Sequence, residues 1–145
     1  MNGLIHAHSG LRWLFLAAII YALIVAFSGM SGNKPFTDKD RKAALFAFIF
    51  SHLQGVIGLV LLFTSGKVNF GRMMASGQLR FFSLEHPVGM LLAIVLITLG
   101  YGKAKRGTED KARFKAMFTY YLIALIIILA TIPWPFRTAL GAGWF

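Results

Sequence analysis

Four long apolar segments, at residues of about 4–27, 43–64, 81–101 and 116–132, leave this chain few ways to fold. Each matches the roughly 20 residues a helix needs to cross a bilayer core about 30 Å thick. Only helices or closed barrels satisfy every backbone polar group in lipid, and runs this long and continuous are helical. A soluble domain holds about 45–50% apolar residues on a count that includes glycine, whereas this chain is 57% hydrophobic without glycine and 14% charged. The expectation is an all-α, membrane-embedded four-helix bundle. Residues 1–145 then form one four-span transmembrane domain with the lipid bilayer as its first partner, leaving no length for a separate soluble domain.

The charges flank the spans. Of 15 Lys and Arg residues, ten fall in the first and third connections: Lys34, Lys39, Arg41, Lys42, Lys103, Lys105, Arg106, Lys111, Arg113 and Lys115. The other five, Arg12, Lys67, Arg72, Arg80 and Arg137, fall toward the opposite side. The positive-inside rule puts the two basic loops in the cytoplasm and both termini outside, as in a multi-pass protein of a bacterial inner membrane. It also accounts for the net charge of +10 without nucleic acid. With no cysteine in the chain, disulfides, iron–sulfur clusters, thiolate haem ligation and covalent c-type haem are excluded. No serine, cysteine or carboxylate arrangement suits hydrolysis, and there is no glycine-rich phosphate loop.

Between the spans the sequence carries local signals. The first apolar run is too long for a signal-peptide core and is followed by a turn-rich connector, Gly29 to Pro35. Thr37 and Asp40 have capping-box spacing, so the second helix starts before its lipid-embedded part. Residues 65–80 form the one long connection, read either as a surface loop or as an interfacial helix that lids the outer mouth of the bundle. Pro87 is expected in the first turn of the third helix, where a missing amide is harmless. The fourth span is aliphatic scaffold, ending in interfacial anchors from Pro133 to Arg137.

The chemistry sits in four histidines, His6, His8, His52 and His86, all in or beside apolar segments. Ionisable side chains at membrane depth are functional-site candidates, and two imidazoles from facing helices can hold a haem in a bundle core. Antiparallel helices put His8 and His86 at one shallow depth, with His52 roughly 10 Å deeper at about 1.5 Å per residue. His8 with His86 is therefore the preferred axial pair, His52 the alternative ligand, and His6 the weakest candidate because it faces away from His8. Small residues Ala44, Ala47, Ser51, Gly55 and Gly58 on the second helix, and Gly89, Ala93 and Gly100 on the third, fit either close helix packing or a flat cofactor.

Arg12 shares a helix face with His8, and Glu85 adjoins His86. Two readings stand: an Arg12–Glu85 ion pair, or Arg12 holding haem propionates or a quinone oxygen. Copper or zinc held by His6, His8, Glu85 and His86, a quinol or proton-handling site without haem, and purely structural hydrogen bonding are the competing explanations of the histidines.

The run His6 to Trp13, the Gly32 to Thr37 connector, Leu84-Glu85-His86 and Pro133 to Phe136 resemble a family of small four-span bacterial membrane proteins labelled cytochrome b. The resemblance covers nearly the whole chain. It implies non-covalent haem b, with His8, His52 and His86 as the matching histidines. Cofactor contacts are expected at His8, His86, His52, Arg12, Gly55 and Gly89. The expected function is membrane electron transfer, exchanging electrons with quinol or a respiratory partner, as a subunit or a homo-oligomer. The alternative is a non-redox accessory or structural subunit, or a metal-binding membrane protein.

Overall fold

A computed structural model describes residues 2–144, and within them the fold is all-helical, with no strand. Four helices form it: α1 (Asn2–Gly32), α2 (Asp38–Thr64), α3 (Gly77–Arg106) and α4 (Asp110–Thr131). All four are long and apolar enough to cross a membrane, which makes this a multi-pass bundle. Each helix packs on its neighbours in sequence and α1 also packs on α4. The four thus close a ring, with α1 and α3 on one diagonal and α2 and α4 on the other. Every helix starts before its apolar segment, because backbone hydrogen bonding extends into the polar flank once a helix is nucleated.

Short connections enforce the up-down order. At the start of α2 the Asp40 carboxylate accepts from the Thr37 amide at 2.9 Å, the Thr37 hydroxyl at 2.6 Å and Lys34 Nζ at 3.0 Å. These bonds hold the connector, which returns through Asn33 with φ 48°. Phe36 then packs on Phe114, with ring centroids 4.8 Å apart.

One expectation is corrected here. The third helix begins at Gly77, capped by the Ser76 hydroxyl accepting from the Leu79 amide at 3.1 Å, so Pro87 lies well inside it. An interior proline removes one helical hydrogen bond and crowds the carbonyl four residues back. The chain absorbs this in a π-turn over Phe81–Glu85, where the His86 amide donates to the Phe81 carbonyl. Such a turn adds a residue and re-aims the helix face that follows. The long connection divides: Ser65, Lys67 and Val68 line the smaller cavity at the adjoining end of the bundle, whereas the Phe70–Ala75 turn lines neither cavity. The residues that fold over that end are C-terminal, Pro133 to Trp144. Gln78 Nε2 donates to the Leu140 carbonyl at 3.0 Å and Lys67 Nζ to the Gly141 carbonyl at 2.8 Å. Gly141 makes the turn with φ 59°, a conformation glycine adopts without strain.

Candidate functional site

The site is built on the diagonal of the bundle. His8 reaches inward from α1 and His86 from α3, directly after the π-turn, and their ring centroids stand 6.3 Å apart with planes at 83°. His86 is held from two sides. Its Nδ1 donates to the Thr131 carbonyl of α4 at 2.8 Å, and its ring stacks on Phe81 at 6.0 Å. A carbonyl can only accept, so Nδ1 of neutral His86 carries the proton and Nε2 keeps the lone pair. This is the orientation by which a second hydrogen bond prepares a histidine for a metal.

α2 supplies the floor. Gln54 Nε2 donates to the His8 backbone carbonyl at 2.8 Å, fixing the register of α1 against α2. Gly58 lies against the His8 ring, and a Cβ placed there would sit 3.1 Å from Cε1. Beside the pair opens a mainly apolar cavity of about 300 Å³, lined by His8, Arg12, Ser51, Gln54, Gly55, Gly58, His86 and aliphatic side chains of α2, α3 and α4. A smaller space of about 120 Å³ shares His8, Arg12, Gly58 and His86 and continues toward Lys67, Ala142 and Gly143. Among the described residues three buried polar atoms have no hydrogen-bond partner: His8 Nδ1, Arg12 Nε and Gln54 Oε1. Buried polar atoms are nearly always satisfied in native structures, and these three belong to residues lining the one cavity.

The other expected site residues are placed differently. His52 turns back on its own helix, its Nδ1 donating to the Phe48 carbonyl at 2.8 Å and its Nε2 lying 3.3 Å from the Thr98 hydroxyl. It lines neither cavity. Gly55 lines the larger cavity, but a Cβ there would meet Ile94 Cδ1 at 2.7 Å. Gly89 does not line it; its face abuts the Thr131 side chain, so its small size serves the close approach of α3 and α4. Arg12 and Glu85 do not pair. Glu85 Oε1 accepts from Arg80 Nε at 2.6 Å, whereas Arg12 donates to the backbone carbonyls of Trp144 at 3.0 Å and Gly143 at 3.5 Å. Trp13 joins the same tail, donating to the Trp144 carbonyl at 3.2 Å and stacking on its ring at 5.9 Å.

Sequence reading missed the Thr131 carbonyl, the tail carbonyls and the Gln54 bond to His8, because backbone acceptors leave no residue-type signature. Gly58 stood in the small-residue stripe of α2 without being singled out.

The donor set discriminates between kinds of metal centre. Zinc in protein sites takes three or four protein ligands. Among the described residues no three His, Asp or Glu side chains converge, and His6 is exposed. The copper or zinc set His6, His8, Glu85 and His86 is therefore not assembled. A haem brings its own equatorial nitrogens and asks the protein for one or two axial ligands. The pair His8–His86 meets that demand, with the unpartnered His8 Nδ1 and the primed His86 beside an apolar cavity. Two imidazoles with no third ligand among the described residues are what a haem asks of a protein and fewer than zinc takes.

The fold and the site define a class: a multi-pass helical bundle with a paired-histidine cavity at one end. No family model, curated protein or solved structure matches the chain.

Proposed function

We propose that this protein binds haem b between His8 and His86 and transfers electrons within the membrane. The observation that carries the reading is the approach of two imidazoles to 6.3 Å across the bundle diagonal, with no third ligand to make a bare-metal site. The resemblance to the four-span family labelled cytochrome b supports it. When bound, the haem would supply a one-electron couple.

The chain's own residues do the rest. The Thr131 carbonyl fixes the His86 tautomer and ring plane. Gln54 holds α1 in register so that His8 faces inward. The apolar lining of α2 and α3 excludes water, and in membrane proteins such a low-dielectric wall is a lever on redox potential. Electrons are exchanged with a lipid-soluble quinol or a respiratory partner, either of which reaches a site at membrane depth. Both termini and the histidine end face outward, the basic loops face the cytoplasm, and the membrane is the bacterial inner membrane.

Absorption spectra of the purified full-length protein, oxidised and then reduced with dithionite, test the reading. The expected result is Soret and α bands of low-spin haem b. A protein expressed with ample haem yet lacking these bands would instead be an accessory subunit whose histidines hold helices together.

A further inference from the structure

Arg12 is only 6% exposed, in the wall of the larger cavity, and no carboxylate among the described residues lies within ion-pair distance of it. Its guanidinium is charged at any accessible pH. One terminal nitrogen is occupied by the Gly143 and Trp144 carbonyls, which carry partial charge only, while buried Nε has no partner among the described residues. A buried cation without a counter-charge is strongly unfavourable unless a ligand supplies one.

The cavity has an opposite character away from Arg12. Leu59 of α2 and Val88 and Leu91 of α3 line it and are also exposed on the outside of the bundle. It therefore opens sideways to the surface that faces lipid, between α2 and α3.

We infer that the cavity takes an amphiphile bearing a carboxylate, its anionic oxygen bonded at Arg12 and its apolar body directed toward the α2–α3 opening. With Nη2 on the tail carbonyls, Nε and Nη1 are left to face a carboxylate, and charge-assisted bonds of this kind are about twice as strong as neutral ones. The chemistry has two sources, a haem propionate or a fatty acyl carboxylate from the bilayer. The inference shares the cavity of the proposed function, but only its first source rests on that reading.

The test compares acids with their esters on full-length protein in neutral detergent. Protohaem is titrated against protohaem dimethyl ester, and cis-parinaric acid against its methyl ester. The wild type should bind at least one acid tenfold or more tighter than its ester, Arg12→Gln should lose that ratio, and Arg12→Lys should keep part of it. Discrimination with protohaem assigns the carboxylate to the macrocycle, and discrimination with parinaric acid assigns it to a lipid. A wild type that binds acid and ester equally in both pairs overturns the inference, even if Arg12→Gln does not fold. Discrimination with parinaric acid in a protein that gives no low-spin haem spectrum would defeat the haem reading while sustaining this one.

Discussion

The two ends of the bundle are built from the same residue types and packed to opposite effect. At the end bearing the basic loops, Ala43, Ala44 and Ala47 of α2 and Ala104 of α3 let the backbones close on Phe114, Met117 and Tyr121, which are fully buried. Tyr121 places its one polar atom on the Ala44 carbonyl at 2.8 Å, and a Cβ on Gly29 would collide with the Phe114 ring. At the other end, equally small residues stand beside a cavity, and polar atoms are left unpartnered. In lipid, packing and hydrogen bonds hold helices together in place of the hydrophobic effect. The basic end is closed by packing throughout, whereas the histidine end keeps a cavity and is held by single bonds such as His86 to Thr131 and Gln54 to His8, which makes the basic end the scaffold and the histidine end the site.

The sharpest way to break this contrast is to remove the site and ask whether the bundle survives. His86→Ala and His8→Ala should each abolish haem retention or convert the spectrum to high-spin, with helical content by circular dichroism unchanged. Loss of the helical signal in either variant would mean that the histidine end carries stability and is not a dependent site.

The complementary substitution strikes the scaffold. Tyr121→Ala removes a fully buried ring and its bond to Ala44, and such truncations cost about 3–5 kcal/mol in soluble cores. Tyr121→Phe loses the hydrogen bond alone, about 1 kcal/mol, because the Ala44 carbonyl lies within α2 and keeps its helical bond. Unfolding in mixed micelles should rank the two in that order, with low-spin haem retained by whatever fraction stays folded. A Tyr121→Phe protein as stable as wild type but unable to hold haem would show the two ends to be directly coupled.

The legible part of this molecule was the part written in residue type and spacing. Hydropathy placed four helices, and helical rise with antiparallel order brought His8 and His86 to one level and left His52 deeper. Six residues of α2 separate His52 from Gly58, which touches His8, a rise of roughly 9 Å. Partner choice was not legible. Glu85 lies beside His86 in sequence, yet its carboxylate goes to Arg80, because the π-turn re-aims this stretch of α3. Gly89 lies three residues from His86 on the same face, and both meet Thr131, but the glycine serves the contact of α3 with α4 and does not line the cavity. The tail that meets Arg12 does so through carbonyls, which every residue has.

His52 separates a reading based on the histidines as a set from one based on the pair. Its ring bonds to Phe48 and lies near Thr98 outside the cavity, so His52→Ala should leave the haem spectrum and haem content intact. The lost contacts should cost on the order of 1 kcal/mol in unfolding. Haem loss in His52→Ala alone, with His8→Ala and His86→Ala still low-spin, would replace the pair and require a different register of α2.

The smallest expected effects come from two glycines three residues apart on α2, and they sharpen the comparison most finely because both face the same cavity. In Gly55→Ala the new methyl meets the Cδ1 tip of Ile94, a flexible end that can rotate away. Alanine also favours the helix by roughly 0.5–1 kcal/mol over glycine, so unfolding should be unchanged or slightly harder and the spectrum unaltered. In Gly58→Ala the methyl meets Cε1 of His8 at 3.1 Å, and this ring has less freedom because Gln54 fixes the backbone that carries it. The ring should turn by a few tenths of an ångström. That displacement is too small to expel a ligand but large enough to change the axial geometry read by the electron paramagnetic resonance of the oxidised protein. An altered signal in Gly58→Ala beside an unaltered one in Gly55→Ala would locate the haem against His8. The reverse pattern would move it down the cavity toward Ile94, away from the histidine pair.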